Sequence, residues 1–352
     1  MIGVREAILH ILGGVSPLGT EDVPLLEAQG RVLAEDAVAP LDLPAHDNSA
    51  MDGYAVRSAD VRGASADAPK QLRVIEQVPA GRFPTRPLGP GDATRIFTGA
   101  PLPEGSDGVI RQEDTAGGGD MVAVLNDRDA GRNLRLAGED LRKGTLVFPA
   151  GTHLGAAQLG VLASMARSRV RVHRRARVAI IASGDEIADL DEADAILAGR
   201  KTASSNSYTL HALTRDAGAM PVPLGIARDT LESVRALLER GMHEADLIVS
   251  TAGVSVGEHD FVRDALAALG AEPGFWRVRM RPGSPLGFAH VGGVPWIGLP
   301  GNPVSTMVCF ELYVRPAIRR MQGERAVFRR TVRAATEEPV RTHGGLTHFL
   351  RA

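Results

Sequence analysis

The chain has 352 residues, of which 44% are hydrophobic and 23% charged, and its net charge at pH 7 is −2. This composition is typical of a folded globular protein, and the length predicts roughly two to four domains. The small net charge provides no global field toward nucleic acid or an anionic membrane. No apolar run reaches the roughly 20 residues of a membrane span, so we expect neither a nucleic-acid nor a membrane partner.

The side-chain inventory indicates a reducing compartment. Cys309 is the single cysteine, so the chain can form neither an internal disulfide nor a thiolate metal site. We therefore expect a cytoplasmic protein. Basic charge is almost all arginine, with lysine only at Lys70, Lys143 and Lys201. Genomic base composition explains this bias, and recognition of oxyanions by arginine is the local alternative.

The first half of the chain is predicted to be mostly β. It opens with an amphipathic helix that Gly13 and Gly14 end, which is not a signal peptide. From there to about residue 175, short apolar runs alternate with proline and glycine, a pattern typical of short strands and tight turns. One short helix is predicted over 157–166.

The second half alternates strands and helices. Strands are predicted over 177–183 and 246–253 and in "MPVPLGIAR", "GFWRVRMRP" and "VPWIGLPG". Helices are predicted over 205–218, capped by Ser205 or Asn206, and in "TLESVRALLERGMHEA", "FVRDALAALG" and "PVSTMVCFELYVRPAIRRMQG". This alternation predicts one α/β domain over about 175–322, with a parallel sheet covered on both faces.

Ligands of parallel sheets bind at the carboxyl ends of the strands, and the first strand end here carries Ser183, Gly184, Asp185 and Glu186. The glycine allows a close backbone approach, and the two carboxylates lie at the turn. A helix cap with first-turn acidic charge explains the same residues without a ligand.

The second strand end is a glycine-rich loop that contains Gly253, Ser255 and Gly257, followed by Glu258 and Asp260. Its amides and hydroxyls suit an anion, and its acidic end suits a hard cation such as Mg²⁺. An ordinary glycine-rich turn capped by Asp260 is the alternative.

The third strand end, "WIGLPGNPVSTM", predicts a helix start. Gly301 and Asn302 form the turn, Asn302 caps the helix, Pro303 takes its first position, and Ser305 lies in its first turn. Such a helix start suits an anion, although it lacks the lysine of a nucleotide P-loop.

An arginine stripe lies before this strand. Arg277, Arg279 and Arg281 alternate with apolar residues, so one strand would carry all three on one face. That face is either an oxyanion clamp or a solvated edge.

Seven motifs occur in order: "DNSAMDGYAV", "RIFTGAPLPEGSDGVI", "GEDLRKG", "SGDEI", "GVSVGEHDF", "MRPGSP" and "GLPGNPVS". Together they resemble the molybdopterin molybdenumtransferase family, which includes bacterial MoeA and the E domain of gephyrin. The resemblance extends from the N-terminus to about residue 350.

The resemblance implies a multidomain α/β fold. Residues 1–19 and 175–322 would form an α/β domain like that of molybdopterin adenylyltransferases. Residues 20–38 and 145–174 would form an elongated α+β domain, and 39–144 an inserted β-rich domain. Residues 323–352 would begin a C-terminal β-barrel that is incomplete in this chain.

The resemblance also implies a reaction. Molybdate would be inserted into adenylylated molybdopterin, with Mg²⁺-dependent hydrolysis of the adenylyl–phosphate link and release of AMP, in molybdenum cofactor biosynthesis. The enzyme would be a homodimer with a composite active site. Molybdopterin adenylyltransferase and molybdoenzyme chaperones would be its partners.

The resemblance assigns roles by position. Pro300 and Pro303 match prolines of the family site, Arg277 and Arg281 its basic residues, and Ser305 its serine. Glu186 and Asp260 are the expected Mg²⁺ ligands. Asp47 is expected to order its own loop by bonding backbone amides. The residues that match acidic and hydroxyl positions of the family's active site are Asp52, Thr98, Asp140, Glu186, Asp229 and Asp260.

Some residues depart from the family pattern. Ser183 replaces a threonine and keeps the hydroxyl, Ala252 replaces a glycine, and Ser284 replaces a lysine. The departures at Ala252 and Ser284 leave a second hypothesis open, a non-catalytic molybdopterin-binding or scaffold protein on the same fold. Tungstate instead of molybdate as the substrate is a third, because the two oxyanions have the same charge and nearly the same size.

Overall fold

The computed structural model describes residues 1–251, 261–335, 337–340, 342 and 344–350. The chain forms two compact units, one of Met1–Glu35 with Pro149–Ala352 and one of Asp36–Phe148. In the described ranges no helix combines the length and apolarity needed to cross a membrane.

The larger unit is built on a mixed sheet. Six strands of its described part form this sheet: β1 (Arg177–Ser183), β2 (Met220–Ala227), β3 (Leu247–Thr251), β4 (Glu272–Arg277), β5 (Pro285–Val291) and β6 (Val294–Leu299). Their order is β2-β1-β3-β6-β5-β4. The first four are parallel, whereas β5 runs antiparallel to both β6 and β4.

Helices cover both faces of this sheet, as predicted. They are α1 (Val4–Gly13), α2 (Ser205–Asp216), α3 (Leu231–Glu244), α4 (Phe261–Ala268), α5 (Pro303–Cys309) and α6 (Arg315–Met321), with a π-helical turn, Phe310–Val314, joining the last two. Because side chains alternate along a strand, Val178 and Ile180 of β1 pack with α1, α2, α5 and α6. Ala179 and Ile181 pack with α3 and α4 on the opposite face. The α/β class is therefore confirmed.

The predicted strand through "GFWRVRMRP" is too long. β4 ends at Arg277, and Gly283, at φ +95°, lies in the turn that leads back into β5, a strand that the sequence did not predict. A side chain at Gly283 would collide with Cys309 Sγ, so only glycine fits. Buried and exposed residues still alternate beyond the end of β4. Val278 and Met280 are buried, whereas Arg277, Arg279 and Arg281 are exposed.

Short elements complete the larger unit. Thr20–Pro24 pairs antiparallel with Arg169–His173, Ile187–Ala188 pairs parallel with Thr202–Ala203, and Met280–Arg281 pairs parallel with Thr347–His348. The remaining helices are Ala156–Ser164 and Ala193–Leu197, with 3-10 turns at Leu25–Ala28 and Leu190–Glu192. The pairing of Thr347–His348 does not establish a barrel, which stays a prediction.

The smaller unit is predominantly β, as expected for the first half of the chain. Its sheet has the order Gly108–Arg111, Gly53–Val56, Asp92–Ile96, Lys70–Val78, Met121–Val124 and Thr115–Gly118. Its two faces bury separate apolar clusters, one around Tyr54 and Ile110 and the other around Ala55 and Val109. The short elements are Ala37–Val38 with Leu146–Phe148, Asn48–Ser49 with Leu134–Arg135, helix Ser58–Val61, and a 3-10 turn at Gln112–Asp114.

Candidate functional site

A cavity of about 280 Å³ lies in the larger unit, where β1 and β3 end and the loop after β6 begins. Its wall includes Ser183, Glu186, Thr251, Asn206 and Pro303. The structure therefore brings the first and third predicted strand ends together. The predicted residues of the second strand end lie outside the described residues: Gly253, Ser255, Gly257 and Asp260.

The turn after β1 requires glycine at position 184. Gly184 has φ +135°, and a side chain there would lie 2.6 Å from a carboxylate oxygen of Glu186. The Glu186 carboxylate therefore lies directly beside the bare backbone of Gly184. Among the described residues no hydrogen bond or ion pair engages that carboxylate, so its oxygens are available to a ligand of the cavity.

Asp185 and Asp229 hold two loops together by reciprocal hydrogen bonds. The Asp185 amide donates to the Asp229 carboxylate at 3.1 Å, and the Asp229 amide donates to the Asp185 carboxylate at 3.3 Å. Lys201 Nζ donates to the Asp185 carbonyl oxygen. Lys201 was not predicted as a site residue, because it lies in none of the seven motifs. Its only distinguishing feature in the sequence is that lysine is rare in this chain.

The predicted cap of α5 is present. Asn302 Oδ1 accepts hydrogen bonds from the amides of Val304 at 3.1 Å and Ser305 at 3.2 Å. Pro303 has no amide hydrogen. The amides of Val304 and Ser305 were expected to bind an anion, but the cap already engages them. The helix dipole and the amides of Gly301 and Asn302, which meet no acceptor among the described residues, are what remains for a ligand.

Asn206 is a site residue whose role the sequence interpretation missed. The predicted cap of α2, Ser205 or Asn206, is wrong, because the N-cap is Ser204. The Asn206 amide nitrogen donates instead to the Gly301 carbonyl at 2.8 Å. Its Oδ1 is buried without a partner among the described residues. A buried free acceptor on a cavity wall suits a ligand with an N–H or O–H group.

In the smaller unit, Asp52 and Thr98 form a compact pair. Both the amide and the hydroxyl of Thr98 donate to Asp52 Oδ1, at 2.7 and 2.8 Å. The Thr98 amide, followed by its hydroxyl, lowers the pKa of Asp52 below its ordinary value. The carboxylate is therefore ionised well into the acidic range and is held in one orientation.

Arg95 supports this pair. It is the first residue of the motif "RIFTGAPLPEGSDGVI", but no role was predicted for it from the sequence. Its guanidinium lies over the rings of Tyr54 and Phe97, 5.0 and 4.9 Å from their centroids, and Nη1 donates to the Gly53 carbonyl at 3.0 Å. Its charge also lowers the pKa of Asp52. The stacked arginine therefore fixes the backbone next to Asp52.

Two further carboxylates of the smaller unit that were predicted to have a role, Asp140 and Asp47, have separate partners. Asp140 forms an ion pair with Arg135. Asp47 Oδ1 accepts a hydrogen bond at 2.7 Å from the amide of Ala137. Asp47 thus bonds a backbone amide, as predicted, but in a distant segment rather than in its own loop.

Known proteins match the chain along most of its length. A family model described as the MoeA N-terminal region, domains I and II, matches residues 2–166, and a second, described as a probable molybdopterin binding domain, matches residues 179–320. The molybdopterin molybdenumtransferase of Nostoc sp. is 42% identical over 307 residues, which is 86% of this chain and 70% of the Nostoc protein. The chain belongs to the molybdopterin molybdenumtransferase family.

Further relatives support the same family assignment. The Staphylococcus aureus molybdopterin molybdenumtransferase is 34% identical over 351 residues, which covers all of this chain and 83% of that protein. A solved structure of the molybdopterin biosynthesis MoeA protein from Pyrococcus horikoshii superposes with a TM-score of 0.79 at 31% identity, covering 92% of this chain and 80% of that one. The resemblance seen in the motifs is confirmed.

The metal ligands of this chain stay a prediction. In the part of the chain that the structure describes, no three His, Cys, Asp or Glu side chains gather as a metal-binding group. Of the two expected ligands, Glu186 lies on the cavity wall with free oxygens, and Asp260 lies outside the described residues.

Proposed function

We propose that this chain inserts molybdate into adenylylated molybdopterin, cleaving the adenylyl–phosphate link and releasing AMP. Its membership of a family of molybdenumtransferases supports the transfer chemistry. The observation that carries the proposal is the cavity at the strand ends. On its wall the Glu186 carboxylate, which has no partner among the described residues, lies beside Gly184. Asn206, whose Oδ1 is buried without a partner in the same described part, lines the cavity as well.

The residues of the cavity suit a small substrate with phosphate and amide groups. Gly184 lets a substrate approach the backbone closely, because no side chain intervenes. The Asn206 Oδ1 accepts a hydrogen bond from a ring N–H or amine, and the Ser205 hydroxyl offers a donor. The Ser183 hydroxyl already donates to the Thr251 carbonyl at 3.3 Å, so its oxygen is available as an acceptor. These groups would bind and orient molybdopterin, while the capped start of α5 directs its dipole toward a phosphate.

The donor set fits Mg²⁺. This ion usually takes one or two protein carboxylates and completes its octahedron with water and substrate phosphates. Glu186 offers an unpartnered carboxylate of this type, and Asp260 is the second proposed ligand. Bound Mg²⁺ would polarise the phosphate oxygens of the link to be cleaved.

Molybdate is the second substrate, and arginines are proposed to receive it. Arg277 and Arg281 are exposed, and among the described residues no carboxylate pairs with either guanidinium. A guanidinium binds oxyanions through two parallel N–H donors, a geometry that a lysine cannot reproduce. These two residues would therefore position molybdate.

Asp52 is proposed to act as an ionised acceptor. Because Thr98 and Arg95 lower its pKa, Asp52 stays charged at neutral pH and can orient a water molecule or a substrate hydroxyl. Asp140 and Asp229 are proposed to belong to the same catalytic set.

We propose a homodimer in which each active site takes residues from both subunits, acting in the cytoplasm downstream of a molybdopterin adenylyltransferase. Molybdoenzyme chaperones would receive the product. The division into four domains belongs to the same proposal. Sedimentation of the purified chain tests the dimer, since a monomer at micromolar concentration would contradict it.

AMP release tests the proposed reaction. The purified chain is incubated with adenylylated molybdopterin, molybdate and Mg²⁺, and AMP is measured over time. Release is expected only when molybdate and Mg²⁺ are both present. Release without molybdate would contradict coupled insertion, and binding without any release would favour the non-catalytic hypothesis.

A matched pair of variants tests the role of Glu186. Glu186→Gln removes one charge with little change of shape and is expected to weaken Mg²⁺ dependence strongly. Glu192→Gln, on an exposed neighbouring turn, removes the same charge and is expected to leave the rate unchanged. Equal rates for the two variants would refute the assignment.

A further inference from the structure

A second cavity, of about 680 Å³, opens at the opposite edge of the sheet in the larger unit. Arg177 and Met220, the first residues of β1 and β2, lie on its wall. Ser183, at the other end of β1, belongs to the candidate site. At about 3.3 Å per residue, the length of β1 separates the two cavities by about 20 Å. The proposed transfer reaction uses none of this wall.

The inner wall contains a buried arginine with free donors. The Arg31 side chain is only 9% exposed. Its Nη2 donates to the Glu21 carboxylate and, at 2.9 Å, to the His173 carbonyl. Its Nε and Nη1 meet no acceptor among the described residues. A buried charged group with open donors is costly unless water or a ligand accepts them.

Two more arginines lie at the mouth of the cavity. Arg175 and Arg177 are exposed, and in the described ranges their guanidiniums make neither ion pairs nor hydrogen bonds. Arg174, also on the wall, differs because it binds the Asp246 carboxylate through two bonds of 2.8 and 2.5 Å. Three guanidiniums therefore offer free donors to the same cavity.

The rest of the wall limits what the arginines can bind. Glu27 is an exposed carboxylate without a partner among the described residues, and it would repel a bare polyanion while accepting bonds from hydroxyls. Leu26 and Met220 add apolar surface, with 88% and 52% of each residue exposed. This wall suits a ligand with an anionic end and a hydroxyl-bearing body.

We propose that this cavity binds a small phosphate ester that carries hydroxyl groups, either a sugar phosphate or a nucleotide. Its phosphate meets Arg31, Arg175 and Arg177, since guanidinium forks match phosphate oxygens. Its hydroxyl groups meet Glu27, and its body lies on Leu26. The cavity volume falls within the range of about 300–1,000 Å³ that is typical of small-molecule sites.

Methyl NMR of methionine locates the ligand. The full chain, labelled at its methionine methyl groups, is titrated with ribose 5-phosphate, with AMP and with inorganic phosphate. The Met220 signal, assigned from Met220→Leu, is expected to shift to saturation with ribose 5-phosphate. Met307, in α5 beside the candidate site, is expected to stay unshifted by ribose 5-phosphate. No shift of Met220 up to about 10 mM, far above the usual range of specific affinities, would overturn the proposal.

A pair of double variants tests the arginines. Replacing Arg175 and Arg177 with alanine is expected to weaken binding at least about tenfold, since each removes a charge-assisted hydrogen bond. Replacing Arg169 and Arg171, on the adjacent strand Arg169–His173 but not on the cavity wall, removes the same charge and is expected to change the affinity less than about twofold, the scale of a screened surface charge. An equal loss of affinity in the two double variants would overturn the proposed site, because it would show that only the overall positive charge attracts the ligand.

Comparing the three ligands shows which class of phosphate compound the cavity binds. Tighter binding of AMP than of ribose 5-phosphate at Met220 would identify a nucleotide site, and the reverse a sugar-phosphate site. Inorganic phosphate that binds as tightly as both esters would overturn the proposed ester class. A shift confined to Met307 would place the ligand at the candidate site and would also overturn the proposal.

Discussion

Substituting Gly184 with alanine should strain the backbone and also displace the Glu186 carboxylate. Alanine at φ +135° costs about 1–3 kcal/mol. Its Cβ would lie 2.6 Å from Glu186 Oε2, so the carboxylate must move by 0.8 Å to reach ordinary contact at 3.4 Å. The side chain is flexible and can move without unfolding the turn. A misplacement of about 1 Å near the chemistry can reduce a rate by up to about 100-fold.

Gly225→Ala is the matched control. Gly225 lies in β2 at φ +101°, and a Cβ added there would meet no heavy atom within 4 Å, so alanine adds backbone strain alone. Both variants should lower the melting temperature by about 2–4 °C for each kcal/mol lost. Only Gly184→Ala should slow AMP release, by at least about tenfold. Equal rates for the two variants would refute the proposed role of the Glu186 position.

Three further predictions rest on local contacts. Thr98→Val removes a donor to Asp52 and should raise its pKa toward 3.8, whereas Thr98→Ser should not; carbon NMR of the carboxyl measures this. Since the folded-state pKa is lowered, the stabilisation from this pair is present above pH 3.8 and is lost as the pH falls through the folded-state value. Asn302→Ala should cost about 0.5–2 kcal/mol in urea unfolding, and Asn302→Asp much less. Burial raises the pKa of Cys309 to about 12, so a thiol reagent at pH 8 should react only after unfolding, and rapid reaction with the folded chain would contradict this burial.

The sequence predicted the elements that depend on local periodicity. Arg177–Ser183 was predicted to the residue, because a short apolar run over residues 178–182 precedes a glycine turn. The alternation of strands and helices also predicted the covered sheet. The hairpin of β4 with β5 was missed, because Gly283, which reverses the chain between them, packs against Cys309, a contact between residues that are distant in sequence.

Residues of the candidate site could be predicted where their role depends on a single turn or helix cap. Gly184, Glu186 and Asn302 each occupy positions whose roles follow from local turn and cap geometry. Lys201 and Asn206 could not be assigned, because their partners, Asp185 and Gly301, come from other segments. The sequence likewise suggested an anion site at α5 without showing that the Asn302 side chain already occupies its amides.

The central claim is that removal of the adenylyl group is coupled to uptake of molybdenum. A single-turnover reaction of the chain with adenylylated molybdopterin, molybdate and Mg²⁺ tests it most directly, with AMP counted by chromatography and molybdenum bound to molybdopterin counted by mass spectrometry. Equal amounts of AMP and bound molybdenum are expected at every time point. AMP without bound molybdenum would show a simple hydrolase and would contradict coupled insertion.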